Sequence, residues 1–379
     1  MTKFGLFLTT AQIPGLTQEQ VFDNSTHYAL LAEELGYDSA WTLEHHFTRY
    51  GLCGDPLVMA GYLLGKTTTL QVGTAVSVLP LYHPVHLAER VALLDQLSGG
   101  RFLFGIGRGG FIKDFEVFNQ KPEESHLVMR EWMGIIREAM QRDSVVERDN
   151  DLISFPAVPV YPSPRTAGGP PVYVVCESPS STEWVASQGY PMMMSWWLEK
   201  EAMRAQVDLY NDVAEAHGHD PTGVDHMISC VVSVGDSREG ARAAVRENFD
   251  WFRRTGQQAA FKVQELRKLP NYADLLRKWE EFALKQGGDF DKANRQHTEN
   301  VLNLNVIGTP QECIDHLGEL MAATGVRHVL CGFEGHGERA AVSANMTRFA
   351  EEVMPTLRKA FDGPDPAFDR VGGETVGVR

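Results

Sequence analysis

The chain has 379 residues, 43% hydrophobic and 22% charged, with 35 Lys plus Arg against 50 Asp plus Glu for a net charge of −15. That composition excludes disordered, collagen-like and low-complexity architectures, and the acidic balance argues against nucleic acid as a partner. The five cysteines (Cys53, Cys176, Cys230, Cys313, Cys331) are scattered and form no C-x-x-C pair, so neither a disulfide framework nor structural zinc is expected, and a reducing cytoplasm is the natural setting.

The apolar run at the N-terminus is too short for a signal peptide, and no stretch approaches the roughly 20 apolar residues of a membrane span. Residues 4–8 predict a strand and 17–35 a helix stopped by Gly36; 39–43 is the next strand, 56–68 a helix, and 71–79 a strand. A helix over 86–97 ends at Gly99-Gly100, a strand covers 101–106, and a helix covers 125–140. The Pro-rich segment 145–169 reads as a hairpin or loop excursion. Residues 171–175 form a buried strand, followed by a helix near 181–188. Strands at 191–195 and 227–234 each precede a helix, 328–332 is the last strand, and a helix over 338–357 closes the pattern. About eight βα units whose strands are apolar on both faces point to a closed (β/α)8 barrel, with an open doubly wound sheet as the alternative. The long charged segment 256–300, between the seventh and eighth strands, reads as a lid inserted over the barrel mouth.

In such a barrel, chemistry sits at the C-terminal ends of strands. The second strand ends in Glu44-His45-His46-Phe47. Successive side chains of an extended segment alternate, so one histidine faces the mouth and the other an outer interface. A neutral imidazole at the mouth can act as a general base near pH 7. No H-x-H or H-E-x-x-H pattern stands at this strand end to support a metal, although His83 and His86 are available as further ligands.

The fourth strand runs into Gly105-Ile106-Gly107-Arg108-Gly109-Gly110, spelled like a dinucleotide fingerprint. A fingerprint would need a helix at once and an acidic strand end about 20 residues on, and neither is present. What survives is a glycine-rich turn holding one cation, Arg108, suited to a phosphate. The fifth strand leads into Cys176-Glu177-Ser178-Pro179-Ser180-Ser181 at a helix start, where hydroxyls cap N–H groups or bind an anion. Taken with Arg108, phosphate is the better reading. Trp196 follows the sixth strand and would stand at the mouth, while Phe111, Trp197 and Trp251 are core candidates by default.

Several motifs together resemble the luciferase-like flavin monooxygenases, the α subunit of bacterial luciferase above all. They are Leu43-Glu44-His45-His46-Phe47-Thr48, Leu93-Leu94-Asp95-Gln96-Leu97-Ser98, Gly100-Arg101-Phe102, Lys113-Asp114-Phe115, Pro171-Val172-Tyr173-Val174-Val175, Gly308-Thr309-Pro310-Gln311-Glu312 and Cys331-Gly332-Phe333-Glu334. The likeness runs from near Lys3 to about Leu357. It implies one TIM-barrel domain over residues 1–362, with 256–300 a mobile lid and 363–379 a flexible tail.

The resemblance further implies a two-component enzyme. Reduced FMN from a separate flavin reductase would take up O2 at flavin C4a, and the hydroperoxide would oxygenate an apolar substrate. Matched motif by motif, His45 is the proton-transfer residue, and His46 with Glu89 belongs to an interface with an identical or related subunit. Arg108, Glu177, Ser178 and Ser181 fall at the phosphate. Ala75-Val76 would be a non-proline cis peptide beside the isoalloxazine, with Val175 and Trp196 on the same cofactor. Gly107, Phe111 and Trp251 would line the substrate pocket, and Lys285 would belong to the lid. Three departures stand out: Gly107 replaces a reactive cysteine, Ser181 a threonine, and His126 an arginine near the phosphate. The glycine suggests an enlarged pocket and puts efficient light emission in doubt. The alternatives are a light-emitting long-chain alkanal monooxygenase, a deazaflavin-dependent hydride transferase, and a non-catalytic flavin-binding partner subunit.

Overall fold

Strands that are apolar on both faces need cover outside and filling inside, and here they obtain both by closing into a ring. The computed structural model describes residues 1–260 and 290–362. The ring consists of β1 (Lys3–Leu8), β2 (Ser39–Thr42), β3 (Gln71–Thr74), β4 (Phe102–Gly107), β5 (Val172–Val175), β6 (Met192–Met194), β7 (Met227–Val234) and β8 (His328–Gly332). Each strand pairs in parallel with the next, and β8 returns to β1. Around it lie α1 (Gln18–Glu34), α2 (Pro56–Lys66), α3 (Pro84–Ser98), α4 (Ser125–Ala139), α5 (Pro179–Ser187), α6 (Lys200–Ala216), α7 (Arg238–Ala260) and α8 (Arg339–Glu352). The expected (β/α)8 TIM barrel is therefore the fold. Among the described residues no helix is long and apolar enough to cross a membrane.

Side-chain alternation divides the core in two. Phe4, Leu6 and Leu8 of β1 join the outer cluster between sheet and helices, whereas Phe7 packs with the inner cluster of Trp41, Leu103, Tyr173, Met193, Met227 and Leu330. Trp41 is fully buried, and its Nε1 donates to Ser39 Oγ at 2.8 Å. The indole fits because its neighbour in β3 is Gly73, where a Cβ would overlap the ring. The N-terminal end of the barrel is closed by polar groups. Asp225 Oδ2 accepts from Lys3 Nζ at 2.8 Å and Tyr173 OH at 2.7 Å, and lies 3.2 Å from His328 Nδ1. With that end plugged, ligand access is left to the C-terminal rim.

Three expectations need correction. The strand drawn over 71–79 breaks after Thr74, whose hydroxyl bonds to Gly105 O at 2.7 Å; pairing with β4 resumes only at Ser77–Val78. The closing helix over 338–357 is two helices, α8 and Met354–Asp362, because Pro355 has no N–H to continue the ladder. The insertion drawn over 256–300 begins and ends in helix, since α7 runs to Ala260 and another helix spans Phe290–Asn303. A short strand, Val306–Gly308, and a helix, Pro310–Thr324, then precede β8. Residues 261–289, with Lys285, and the tail 363–379 lie outside the described residues. The Pro-rich excursion is a hairpin of Val145–Asp149 and Ser154–Pro159.

Burial opposes charge on Asp225, but the bonds from His328, Lys3 and Tyr173 prevail and hold its carboxyl well below the usual carboxylate range. A depressed carboxylate stabilises the fold above its unfolded pKa, and that contribution fades as pH falls through the acid range. Asp225→Asn should therefore cost about 2 kcal/mol at neutral pH, read from the denaturant midpoint, and progressively less toward low pH.

Candidate active site

Closure brings residues far apart in the chain to one rim. After β2 the chain turns through Phe47, at a φ of 57°, and returns so that His45 N–H donates to Cys53 O at 2.9 Å. His45 thus points into the mouth. Tyr50 and Phe111 meet its ring edge-on at 4.7 and 4.8 Å between centroids. Neither ring nitrogen has a hydrogen-bond partner, and both are buried. Burial, and secondarily the charge of His46, pushes its pKa down to about 3, so the ring is neutral at pH 7. The neutrality expected of a mouth histidine is met, while its basicity in this state is far weaker than that of a free imidazole. A cavity of about 460 Å³ borders both histidines, with Phe22 of α1, Phe47 and Arg49 in its wall.

His46 has the opposite environment. Its Nε2 lies 3.1 Å from Glu44 Oε1, and Glu44 Oε2 accepts from Val78 N–H at 2.8 Å. Burial works against its charge, but the Glu44 bond and the fields of Glu44, Asp114 and Asp55 raise its pKa. Its carboxylate partner is thus in its own chain, two residues away, a pairing the sequence reading did not anticipate. Glu89 is half-buried on α3.

The phosphate expectation joins β4 and β5. Ile106 pairs with Val174, so Arg108 and Cys176, each two residues further on, leave the rim side by side. Ser178 caps α5, accepting from Ser181 N–H at 3.3 Å, and its hydroxyl lies 3.0 Å from that of Ser181. Burial pushes the Glu177 carboxyl up, while a bond from Ser195 Oγ at 2.9 Å and the charge of Arg108 oppose it. The guanidinium also acts on His126, whose pKa is lowered by burial and then by Arg108 and Arg130. A guanidinium, two hydroxyls and the first N–H groups of a nine-residue helix form a donor set matched to a phosphate monoester.

Between these two strand ends lie β3 and the inner cluster. The Ala75–Val76 peptide is cis, as expected. Val76, Val175 and Phe7 are partly buried side chains on the inner cluster. A Cβ at Gly107 would stand 2.8 Å from Val76 Cγ2, so the room a larger residue would use is partly taken by Val76 rather than added to a pocket. Trp196, after β6, packs edge-on against Phe249 at 5.2 Å and lies 6.4 Å from Phe252. Trp251 is half-buried on α7, but the ring contacts seen among the described residues run through Phe249 and Phe252.

Sequence reasoning missed Tyr50, Phe252 and Glu334. The last was findable, because it follows the eighth strand. Glu334 Oε2 accepts from Thr9 N–H at 2.5 Å and from the Thr9 hydroxyl. Burial raises its pKa to about 7 against these bonds, so it can hold or release a proton near neutrality. Among the described residues no group of three or more His, Cys, Asp or Glu could hold a metal ion.

Known proteins resemble this chain in sequence and in fold. The family described as luciferase-like monooxygenase matches residues 2–328. The alkanal monooxygenase alpha chain of Photorhabdus laumondii is 41% identical over 357 residues, which is 94% of this chain and 98% of that one. Among solved structures, monooxygenase RslO1 from Streptomyces bottropensis superposes with a TM-score of 0.75 at 24% identity, over 93% of this chain and 99% of that one. The oxygenating constituent of 3,6-diketocamphane monooxygenase from Pseudomonas putida, in complex with FMN, gives 0.73 at 19% identity, over 93% and 98%. The two structures bear on the fold alone.

A carboxyl titrating near 7 has a spectroscopic mark. The protonated-carboxyl infrared band should fade as pH rises through about 7, and Glu334→Gln should remove it. The raised pKa also means stability declines as pH rises from the ordinary carboxylate range to about 7, levelling off above it, and the variant should flatten the decline.

Proposed function

The chain belongs to the luciferase-like monooxygenase family, and from that premise we propose that it is the oxygenating half of a two-component system. Reduced FMN comes from a separate flavin reductase, and O2 is used to oxygenate an apolar organic substrate. The observation that carries this reading is the pairing of β4 with β5, which sets Arg108 and Cys176 side by side at the rim, next to the serine-capped start of α5. Bound reduced FMN supplies the electrons with which one atom of O2 enters the substrate and the other leaves as water.

The chain's own residues then have separable tasks. Arg108, Ser178, Ser181 and the α5 N–H groups hold the phosphate. Glu177 is an exposed residue beside that site, its carboxyl held by Ser195 Oγ at 2.9 Å. Val76, Val175 and Trp196 would line the site of the flavin ring. Phe111, Tyr50 and the rings of α7 exclude water, with Gly107 and Trp251 on the substrate pocket. His45 takes or returns a proton beside the flavin; a negative charge bound next to it raises its low pKa toward the working range.

A dimer fits the surface. Val58 and Tyr62 of α2 and Leu93 and Leu97 of α3 are exposed apolar side chains on two helices packed together. Glu89 shares α3 with them. We read this face as the contact with a second copy or a related subunit. A light-emitting alkanal monooxygenase is the second reading, favoured by the 41% identical relative. Decanal with reduced FMN and O2 separates the two: blue emission supports the second, dark turnover of another substrate the first.

Arg108→Ala should weaken FMN binding by about tenfold or more while leaving riboflavin binding unchanged, measured by fluorescence titration. His45→Ala should abolish turnover and leave FMN affinity intact. Sedimentation should show a dimer, and Leu97→Glu should dissociate it.

A further inference from the structure

Something must orient His45, because both its ring nitrogens are buried and none of the hydrogen bonds that usually fix an imidazole is made. Among the described residues, only ring contacts and backbone remain. On one side is Gly51, where a Cβ would come within 2.8 Å of His45 Cδ2 and 3.1 Å of Thr9 O. The other contacts are the edges of Phe111 and Tyr50. Tyr50 is itself held from behind by α7. Phe252 stacks on it at 4.2 Å between centroids and 26° between planes. One helical turn on is Gly256, where a Cβ would lie 2.6, 2.9 and 3.0 Å from Cε2, Cδ2 and Cζ of Tyr50. The helix backbone therefore approaches the ring more closely than any side chain at 256 would allow.

The helix behind the wedge is anchored. Arg253 is buried and its Nε donates to Thr298 Oγ1 at 2.9 Å; Arg242 pairs with Glu299 at 2.7 Å. Both partners belong to the helix Phe290–Asn303. On the same helix, Phe249 packs against Trp196, just after β6.

We propose that Tyr50 is the positioning residue for His45, wedged between the imidazole and the Phe252–Gly256 face of α7, and that Gly256 sets the depth of the wedge. The inference rests on the reading of His45 as the proton-transfer group. It adds that the position of α7, and through Arg253 and Arg242 that of the helix Phe290–Asn303, is passed to His45 by ring contact. Tyr50→Phe keeps the wedge, Tyr50→Leu removes the stacked ring, and Gly256→Ala drives the ring forward.

The experiment compares these three variants with His45→Ala, all checked for melting temperature and FMN affinity. Two readouts are taken: steady-state kinetics with reduced FMN, and histidine-labelled NMR of the imidazole nitrogens, with the His45 signals assigned by their loss in His45→Ala. Tyr50→Phe should match the wild type in both. Tyr50→Leu and Gly256→Ala should lower kcat by about tenfold or more with KM little changed, as expected when a catalytic group is misplaced by a fraction of an ångström to an ångström. Both should also shift the His45 signals. Unmoved His45 signals in Tyr50→Leu and Gly256→Ala, if both fold, would overturn the wedge whatever the turnover. Shifted signals with normal turnover in His45→Ala would instead uphold the wedge and remove the catalytic role of the histidine. Should Gly256→Ala fail to fold, Tyr50→Leu decides alone.

Discussion

Pairing of Ile228 with Met194 closes the sheet, and closure is the constraint from which the site follows. A ring of parallel strands has one rim of C-terminal ends, so groups leaving β1, β2, β4, β5, β6 and β8 must meet there. The interior cannot stay hollow, and Trp41 seated over Gly73 fills its middle. At the opposite end Asp225 ties together the starts of β1 and β8 and the side chain of Tyr173. Substitutions that loosen either layer would act on the rim indirectly, by letting strand ends shift relative to one another.

Two adjacent histidines show how strongly the surroundings govern chemistry here. His45 and His46 share a strand end and the same intrinsic basicity, yet one is pushed down to about 3 and the other is raised. Alternation sends one ring among Tyr50 and Phe111 and the other to a buried carboxylate. In the first surroundings a proton has nothing to stabilise it; in the second, Glu44 and nearby acids do. The nitrogens of His45 are therefore shut off from charge and solvent, while His46 is held among fixed charges. The cis Ala75–Val76 peptide and Gly107 bring backbone and a single isopropyl group close together.

The number and order of the strands could be read from the chain because each depends on a short apolar run and on Gly or Pro stops within a few residues. The adjacency of the strand ends that lead to Arg108 and Cys176 was legible for a related reason: consecutive parallel strands place their ends together, so adjacency in chain order becomes adjacency in space. The break after Thr74 and the division of the last helix at Pro355 were blurred, since apolar content continues through both while backbone pairing does not. Glu334 was available to the same strand-end logic and was passed over.

Other features had no local signature at all. Which histidine is neutral, which carboxyl titrates near 7, and why residue 256 is glycine depend on desolvation and ring contact between segments far apart in the chain. Local pattern fixes where a side chain leaves the backbone, because covalent geometry and periodicity act over a few residues. Its protonation and its orientation belong to the packed state, because water is removed from a group only when distant parts of the chain close around it.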